Sequence, residues 1–524
     1  MSISLWVLCV KIGLAEAKLG IWQNLSNLEV VAASLFYQFS LYSAVRLAHH
    51  GFTLGELGLV CFGATVLFME MMNLTIARIW PFTTPFIKTY RLPTPLLIYQ
   101  IALIPGSLLT GFLLSPLLYL SRHIASRPVR RLRFPEQKQK HRRLLALGFY
   151  AGTVLVVAGV VGIWTRWCLG NRDPWLWVMF WLLEGKRKWA RPLLLAYWAA
   201  LGSVSVGGWN RQLARSRRYR HRSTASIPGE APVVPPSPLD MSRANGNGSA
   251  GGLSDSSLSP SPASEGLTSM GISFANLPNL PNLPNGATVA TDLLDAADKH
   301  VPTLSVNARR KFFHALAVAM FLPGVAVDPA FTHLSFSAAF ALFTFAEYVR
   351  YFALYPFGAA VHVFMNEFLD QKDSGTAILS HFYLLTGCAN SVWFEGPSRL
   401  LLFTGILVLG VGDAMASVVG KRLGRHRWST NTPKTVEGSA AFTASVVACA
   451  WLLRLLGFTE DFSIVRYGAV ATLGSILEAF SVQNDNLTLP LYMWTPQGDG
   501  DSRLVMGAYP RLDSAPVTAV WRRA

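Results

Sequence analysis

The chain has 524 residues, of which 51% are hydrophobic and only 14% charged, and its mean hydropathy is +0.34. A soluble domain has about a quarter of its residues charged, so this composition excludes an ordinary soluble globular protein. The net charge of +17 comes from basic residues that lie between apolar runs, which indicates loops kept on the cytosolic side of a membrane rather than nucleic-acid binding.

Apolar runs long enough to cross a membrane recur along the chain. A hydrocarbon core of ~30 Å requires about 20 helical residues, and this spacing predicts about eleven spans. Five precede the middle of the chain, at 28–48, 57–74, 95–120, 144–167 and 192–209. Six follow it, at 312–327, 334–351, 375–394, 400–419, 439–456 and 464–480. The predicted fold class is therefore all-α, a polytopic helical transmembrane bundle, in which 175–183 and 487–494 are too short to span alone.

Residues 222–305 differ in composition from the rest of the chain. They are rich in Ser, Pro, Gly and Asn, which cannot bury a core and are typical of a disordered linker. We therefore predict four parts: an N-terminal multi-span region at 1–209, a basic and then disordered cytosolic linker at 210–308, a C-terminal membrane domain at 309–495 and a polar tail at 496–524. The five cysteines form no CxxC pair and predict neither a disulfide framework nor a zinc site.

Three basic clusters, at 127–143, 211–222 and 421–427, predict the topology. If all three face the cytosol, the spans between them must be even in number, and the predicted spans number two and then four. Counted from the linker, residues 370–373, 421–437 and 483–486 all emerge on the cytosolic side. These polar stretches, although distant in sequence, are thus predicted to meet at one site.

The most informative stretch begins at Gly412 and ends at Trp428. Gly412, Ala416, Gly420 and Gly424 recur every four residues and share one helix face, as expected for packing between membrane helices. Packing does not account for Asp413, because an ionisable side chain within an apolar helix is costly. It also leaves unexplained the basic residues and the Lys-Thr-x-Glu-Gly turn that follow.

A nucleotide site accounts for these residues together. Glycines would let phosphates approach the backbone, and the side chains of Lys421, Arg425 and Lys434 would neutralise their charge. Asp413 or Glu437 would hold Mg²⁺. The P-loop and protein-kinase motifs are absent from the sequence. From spacing alone, nucleotide binding and helix packing with positively charged loops remain alternatives.

The run Gly-Asp-Ala-x-Ala-Ser-x-x-Gly-Lys-x-x-Gly, followed by Lys-Thr-x-Glu-Gly-Ser, resembles the CTP-dependent lipid-alcohol kinases, which include dolichol, phytol and fungal diacylglycerol kinases. Further stretches narrow the resemblance to the dolichol kinase family over 309–494; they begin at Arg310, Phe345, Asp370, Leu379 and Glu478. Relatives often have a second basic residue where this chain has Pro433.

The resemblance implies CTP-dependent phosphorylation of dolichol, or a related polyprenol, at the cytosolic face of the endoplasmic reticulum membrane. The product, dolichyl phosphate, would feed lipid-linked sugar donors for protein glycosylation. The implied catalytic carboxylates are Asp413, Asp485 and Glu437, and the implied ligands of Mg²⁺ or another divalent cation are Asp413, Asp485 and Asp373. The implied CTP-binding residues are Gly412, Ser417, Gly420, Lys421, Gly424, Arg425, Lys434, Thr435 and Gly438.

Three other functions remain open at this point. The chain could be a CTP-dependent kinase of another lipid alcohol, such as phytol or diacylglycerol, or a cytidylyltransferase that forms a CDP-lipid. A transporter or membrane scaffold would also explain the spans, but it would consume no CTP. The predicted partners are dolichol, CTP and membrane lipid. No nucleic-acid partner is predicted.

Overall fold

The computed structural model is helical in the regions that it describes. These are residues 2–18, 25–48, 52–79, 94–126, 135–184, 189–224, 306–366, 377–394, 396, 398–430, 432, 434–481 and 485–494. Within them the backbone forms no β-strand, and β-type pairing is limited to an isolated antiparallel bridge between Arg427 and Thr435. The chain is an all-α polytopic helical bundle, as the sequence predicts.

Nine α-helices precede the linker in the described part of the chain. They are α1 Ser2–Glu16, α2 Asn27–Ala48, α3 Leu54–Ile79, α4 Pro95–Leu113, α5 Ser115–Ser126, α6 Pro135–Leu155, α7 Gly162–Cys168, α8 Pro174–Leu183 and α9 Ala190–Thr224. A π-helical segment, π1 Val156–Val161, joins α6 to α7 without a break.

Another nine α-helices are described after the linker. They are α10 Val306–Val327, α11 Pro329–Tyr351, α12 Gly358–Asn366, α13 Ser380–Trp393, α14 Arg399–Ile406, α15 Asp413–Leu423, α16 Val436–Leu455, α17 Ile464–Phe480 and α18 Asp485–Trp494. A second π-helical segment, π2 Leu407–Gly412, joins α14 to α15, so that Asp413 follows directly on a widened helical turn.

Seven helical runs among the described residues are long and apolar enough to cross a membrane: Asn27–Arg46, Leu54–Ile79, Pro95–Leu113, Gln137–Cys168, Pro329–Tyr351, Arg399–Leu423 and Val436–Leu455. They coincide with seven of the predicted spans. The other four predicted spans also fold as helices, but α10 and α17 have shorter apolar stretches and α9 is less apolar. With 14 residues, α13 is about 21 Å long, short of a ~30 Å hydrocarbon core.

The most deeply buried part of the described protein surrounds α14 and π2. Ile406, Leu407, Val408 and Leu409 are completely buried, because α10, α16 and α18 pack around this continuous helix. Although α18 has only ten residues, it lies inside the bundle, where Met493 is fully buried. The short α18 is therefore an inserted element, consistent with a segment too short to span alone.

The two membrane regions form one compact unit of residues 1–205 and 305–524. Helix α4 packs along α11, where Tyr348 donates a hydrogen bond to the carbonyl of Ser107 at 3.3 Å. A side chain at Gly111 would overlap the Tyr348 hydroxyl, so the glycine makes this close approach possible. The predicted division at the linker is thus a division in sequence rather than in space.

A second unit comprises residues 206–304, of which the structure describes the end of α9 up to Thr224. Most of the predicted linker, residues 225–305, and the predicted tail at 496–524 lie outside the described residues.

Candidate active site

Asp413 lies at the centre of the first charged cluster. Lys311 of α10 places its Nζ 2.5 Å from Asp413 Oδ2 and donates a second hydrogen bond to the Asp413 carbonyl at 3.1 Å. His314, one helical turn further along α10, places its Nε2 3.3 Å from the same carboxylate oxygen. A carboxylate in an apolar helix therefore has two basic side chains as partners, as expected for an ionisable group in an apolar helix.

The π-helical turn before Asp413 lets α10 approach closely. A side chain at Gly410 would overlap Val318 and lie near the His314 backbone carbonyl, so only glycine leaves room for α10 there. Single π-helical turns within α-helices occur frequently at functional sites. The local sequence thus brings Lys311 and His314 within reach of Asp413.

Lys434 forms the second charged cluster. Its Nζ donates to Glu478 Oε1 at 2.8 Å, to the Glu478 carbonyl at 2.9 Å and to Asp485 Oδ2 at 2.9 Å. Burial opposes the charge of this ammonium group, but the carboxylates of Asp485 and Glu478 more than offset it and raise the pKa of Lys434 above its ordinary value. Lys434 is therefore a protonated cation at neutral pH.

Helix α18 joins the two clusters. His314 Nε2 lies 3.4 Å from Asn486 Oδ1 as well as 3.3 Å from Asp413 Oδ2, so the two oxygens are within about 7 Å of each other. Gly387 of α13 seats the backbone of Asn486, where any larger residue would overlap its carbonyl. Asp413 also interacts electrostatically with Lys434. The predicted meeting of distant polar stretches is thus seen for 413, 434 and 485–486.

The connection between α15 and α16 is a small hairpin that presents Lys434. The N–H of Val436 donates to the carbonyl of His426 at 2.8 Å, and the N–H of Trp428 donates to that of Lys434 at 3.2 Å. Glu437 accepts the backbone N–H of His426 at 3.1 Å and lies 2.7 Å from its ring Nδ1. Glu437, predicted as a catalytic carboxylate, therefore stabilises the hairpin through His426, and its catalytic role stays a prediction.

Four of the predicted CTP-binding glycines pack between α15 and α16. A side chain at Gly412 would lie 2.6 Å from the Phe442 ring, and one at Gly438 would lie 3.0 Å from the carbonyl of Ala416. Gly420 and Gly424 contact Thr435 in the same way. Helix packing, one of the two alternatives left open by the sequence, accounts for this face, so contact of these glycines with CTP stays a prediction.

The remaining predicted residues differ in exposure. The Thr435 hydroxyl caps α16 by accepting the N–H of Gly438 at 3.2 Å, and Ser417 is half-buried on α15. Lys421 and Arg425 are exposed at and just beyond the end of α15, where they are free to meet an incoming anion. Asp373 lies outside the described residues.

Sequence reasoning did not assign Lys311, His314 or Glu478 to the site. Glu478 carried a usable signal, because it is an ionisable group near the end of an apolar helix, as Asp413 is. Lys311 and His314 lie in the stretch beginning at Arg310 that contributes to the family resemblance, although a cation at the start of an apolar helix otherwise resembles an ordinary membrane-flanking residue.

The donor set suits a hard cation that binds together with phosphates. Among the described residues, no group of three or more His, Cys, Asp and Glu side chains is placed to hold a metal ion. Mg²⁺ in nucleotide sites is commonly held by one or two carboxylates plus phosphate oxygens, which requires no such group. Asp413 and Asp485 supply carboxylates of this kind, each now paired with a lysine.

Comparison with known proteins finds a family that matches the segment containing Lys311, His314, Asp413 and Lys434. The family model described as Dolichol kinase matches residues 296–462. "Dolichol kinase sec59" of Schizosaccharomyces pombe is 43% identical over 195 residues, which are 36% of this chain and 38% of the relative. "Dolichol kinase EVAN" of Arabidopsis thaliana is 40% identical over 193 residues, 36% of this chain and 34% of the relative.

A "Phytol kinase" of Synechocystis sp. is 40% identical over 115 residues, 21% of this chain and 49% of the relative. No solved structure matches the chain.

The fold and the site define a polytopic helical membrane protein in which lysines and carboxylates from four helices and one hairpin converge. Over residues 296–462 its C-terminal region is similar to the dolichol kinase family. The chain spans about a third of the length of the two dolichol kinases described above.

Proposed function

We propose that the chain is a CTP-dependent kinase that phosphorylates dolichol at the cytosolic face of the endoplasmic reticulum membrane. The observation that carries the proposal is the link between the Asp413 and Lys434 clusters through His314 and Asn486. It joins cations suited to a triphosphate with carboxylates suited to an alcohol. Matched relatives named dolichol kinase support the choice of substrate.

The cations would position the nucleotide. Lys434 is protonated, and Lys421 and Arg425 are exposed 13 and 9 residues before it in the chain, so we expect the three to neutralise phosphate oxygens. Phosphoryl transfer asks little covalent chemistry of a protein, and its catalysis comes mainly from positioning and charge stabilisation. Lys434 would exchange its carboxylate partners for phosphate oxygens as CTP binds.

The carboxylates would act on the alcohol. Asp413 or Asp485 would accept the hydroxyl proton of dolichol as its oxygen bonds to the γ-phosphorus. The bond from that phosphorus to the bridging oxygen of the β-phosphate breaks, and CDP leaves with the electron pair. Mg²⁺, bound through Asp413 and Asp485, would supply further neutralisation of the phosphate charge. Asp373 remains a proposed additional ligand.

The topology predicted from charge places this chemistry on the cytosolic side. The basic residues that follow α15 face the cytosol under that rule, and the hairpin beside them presents Lys434 to the site. CTP is cytosolic, whereas the polyprenol tail stays among apolar helices. Dolichyl phosphate formed there would supply lipid-linked sugar donors for protein glycosylation.

The proposal is tested with purified full-length protein in detergent micelles that contain dolichol. We expect labelled phosphate to move from γ-labelled CTP to dolichol with release of CDP, and not from γ-labelled ATP. Release of pyrophosphate would instead identify a cytidylyltransferase. Absence of CTP consumption in folded protein would contradict both enzymes and favour a transporter or scaffold.

A second candidate is a kinase of a shorter isoprenoid alcohol. The match to the Synechocystis phytol kinase, 40% identical over 115 residues, favours it. Competition between dolichol and phytol in the same assay discriminates the two. Dolichol kinase activity predicts a larger kcat/KM for dolichol, and a preference for phytol would replace the first candidate with the second.

A further inference from the structure

Helices α5 and α6 hold the turn at 351–355 that follows α11. Ser121 donates a hydrogen bond to the carbonyl of Phe352 at 3.1 Å, and Arg142 Nη2 donates to the carbonyl of Ala353 at 3.0 Å. Ala353 has φ +50°, a left-handed conformation that residues other than glycine rarely adopt. Side chains from the N-terminal region therefore fix an unusual turn in the C-terminal region.

Two arginines beside this turn have buried donors without partners. Arg122 stacks its guanidinium 3.6 Å above the ring of Tyr351, and its Nη1 is buried with no hydrogen-bond partner. The Nε of Arg142 is buried and unpartnered as well. Unsatisfied buried donors are costly, and those of a charged group more so, which makes both atoms candidates for an anionic ligand.

The neighbouring carboxylate is already engaged. Arg350 donates to both oxygens of Glu347, at 2.6 and 2.7 Å, and Glu347 also accepts the N–H of Ile378 at 2.5 Å. Burial, together with the nearby charge of Arg350, lowers the pKa of Arg122 below its ordinary value. Glu347 thus compensates Arg350 and leaves the positive charge of Arg122 and Arg142 to another anion.

The position and chemistry indicate a phosphate group. Guanidinium groups bind phosphate through paired N–H donors more specifically than lysine does. The basic cluster that includes Arg142 and the turn after α11 are both predicted on the cytosolic side, where the phosphates of anionic lipids lie. We infer that Arg122 and Arg142 form a phosphate-binding site, separate from the candidate active site, which takes either a lipid headgroup or free phosphate.

Binding to purified full-length protein in detergent tests this inference without any turnover. The thermal midpoint is measured during titration with dioctanoyl phosphatidic acid, with inorganic phosphate, and with uncharged dioctanoylglycerol, all at one ionic strength. We expect phosphatidic acid, but not dioctanoylglycerol, to raise the midpoint, because a ligand that binds the folded state stabilises it. An equal response to inorganic phosphate would identify free phosphate as sufficient; a response to the lipid alone would identify the headgroup.

Arg122→Gln and Arg142→Gln should each weaken the apparent affinity for phosphatidic acid by about tenfold or more. Arg46→Gln is the matched control, since Arg46 is exposed and its guanidinium lies 5.9 Å from the ring centroid of Tyr42 in the same helix. The affinity of this variant for phosphatidic acid should equal that of the wild type.

Where a glutamine variant does not fold, Arg122→Lys and Arg142→Lys keep the charge and remove the paired N–H donors of the guanidinium group. Weaker binding is again expected. Affinities unchanged in the arginine variants, or no response to either phosphate compound, would overturn the inference.

Discussion

Lys434 is the residue on which the candidate site depends most. It is the counter-ion of both Glu478 and Asp485, and it is the cation proposed to meet the triphosphate. Its structural and its proposed catalytic role can be tested separately, because its structural partner Glu478 is buried whereas Asp485 is half-buried. Removing the lysine leaves Glu478 without its charge partner, which costs stability as well as any catalytic contribution.

We predict that Lys434→Met lowers kcat/KM for CTP by on the order of 10²–10³-fold, the range seen when one preorganised donor to a transition state is lost. Lys421→Met, at an exposed lysine, should lower it much less. The double variant Lys434→Met/Glu478→Gln should recover thermal stability but not activity. Activity near that of the wild type in the folded double variant would remove Lys434 from the phosphate site.

The site could be predicted from sequence only in part. Asp413 was identified because a carboxylate in an apolar helix is unusual, and the same rule applied to Glu478 would have found a second member. Lys311 and His314 lie on a helix that is distant in the chain, and no local pattern specifies which face of it meets Asp413. Their contact with Asp413 becomes visible only in the tertiary packing.

At the scale of helices, the small-residue face of π2 and α15 determines how closely α16 can pack. Gly412 meets Phe442 and Val446, both fully buried, so there is no free volume into which an added methyl group could relax. This contact bears directly on the site, because Asp413 is the next residue.

We predict that Gly412→Ala destabilises the protein by about 1–3 kcal/mol, the usual cost of overpacking a filled core. Gly63→Ala is the matched control: Gly63 lies within α3, and a methyl group there would meet nothing within 4 Å. Because alanine favours helix over glycine, that variant should be unchanged or slightly more stable. Thermal midpoints in detergent provide the comparison, and equal losses at the two positions would refute the packing explanation.

Helix positions were predictable from hydropathy, whereas helix lengths were less so. The predicted span at 375–394 includes only the 14-residue α13, because hydropathy does not register where the backbone leaves the helix. Hydropathy also could not show that α18 packs against π2, α13 and α17. A ten-residue apolar helix that lies at a membrane surface and one that lies within a bundle have similar hydropathy.

At the scale of the whole molecule, a buried ion pair connects the two membrane regions. Arg191 of α9 donates from Nε to Asp328 Oδ2 at 2.7 Å, and both side chains are almost fully buried. Asp328 also caps α11 by accepting the N–H of Phe331 at 3.0 Å. One carboxylate thus begins a helix of the C-terminal region and holds a helix of the N-terminal region.

We predict that Arg191→Ala lowers the free energy of unfolding by about 3–5 kcal/mol, because it leaves a buried carboxylate without its partner. Arg454→Ala is the matched control. Arg454 pairs with Asp461 at the same 2.7 Å, but its side chain is 35% exposed and that of Asp461 is 86% exposed. Ion pairs near the surface contribute about 0–1 kcal/mol. Similar losses for the two variants, measured by thermal or denaturant unfolding, would show that burial does not distinguish these pairs.

The contact between Tyr348 and Gly111 has a consequence for how the chain can evolve. Tyr348 lies within the segment shared with dolichol kinases, whereas Gly111 lies outside the segment matched by the family model. Because the tyrosine hydroxyl occupies the space that a side chain at position 111 would need, substitutions at the two positions are not independent. A larger residue at 111 requires a smaller one at 348 or a displaced tyrosine ring, so selection on a residue of the matched segment also constrains a residue outside it.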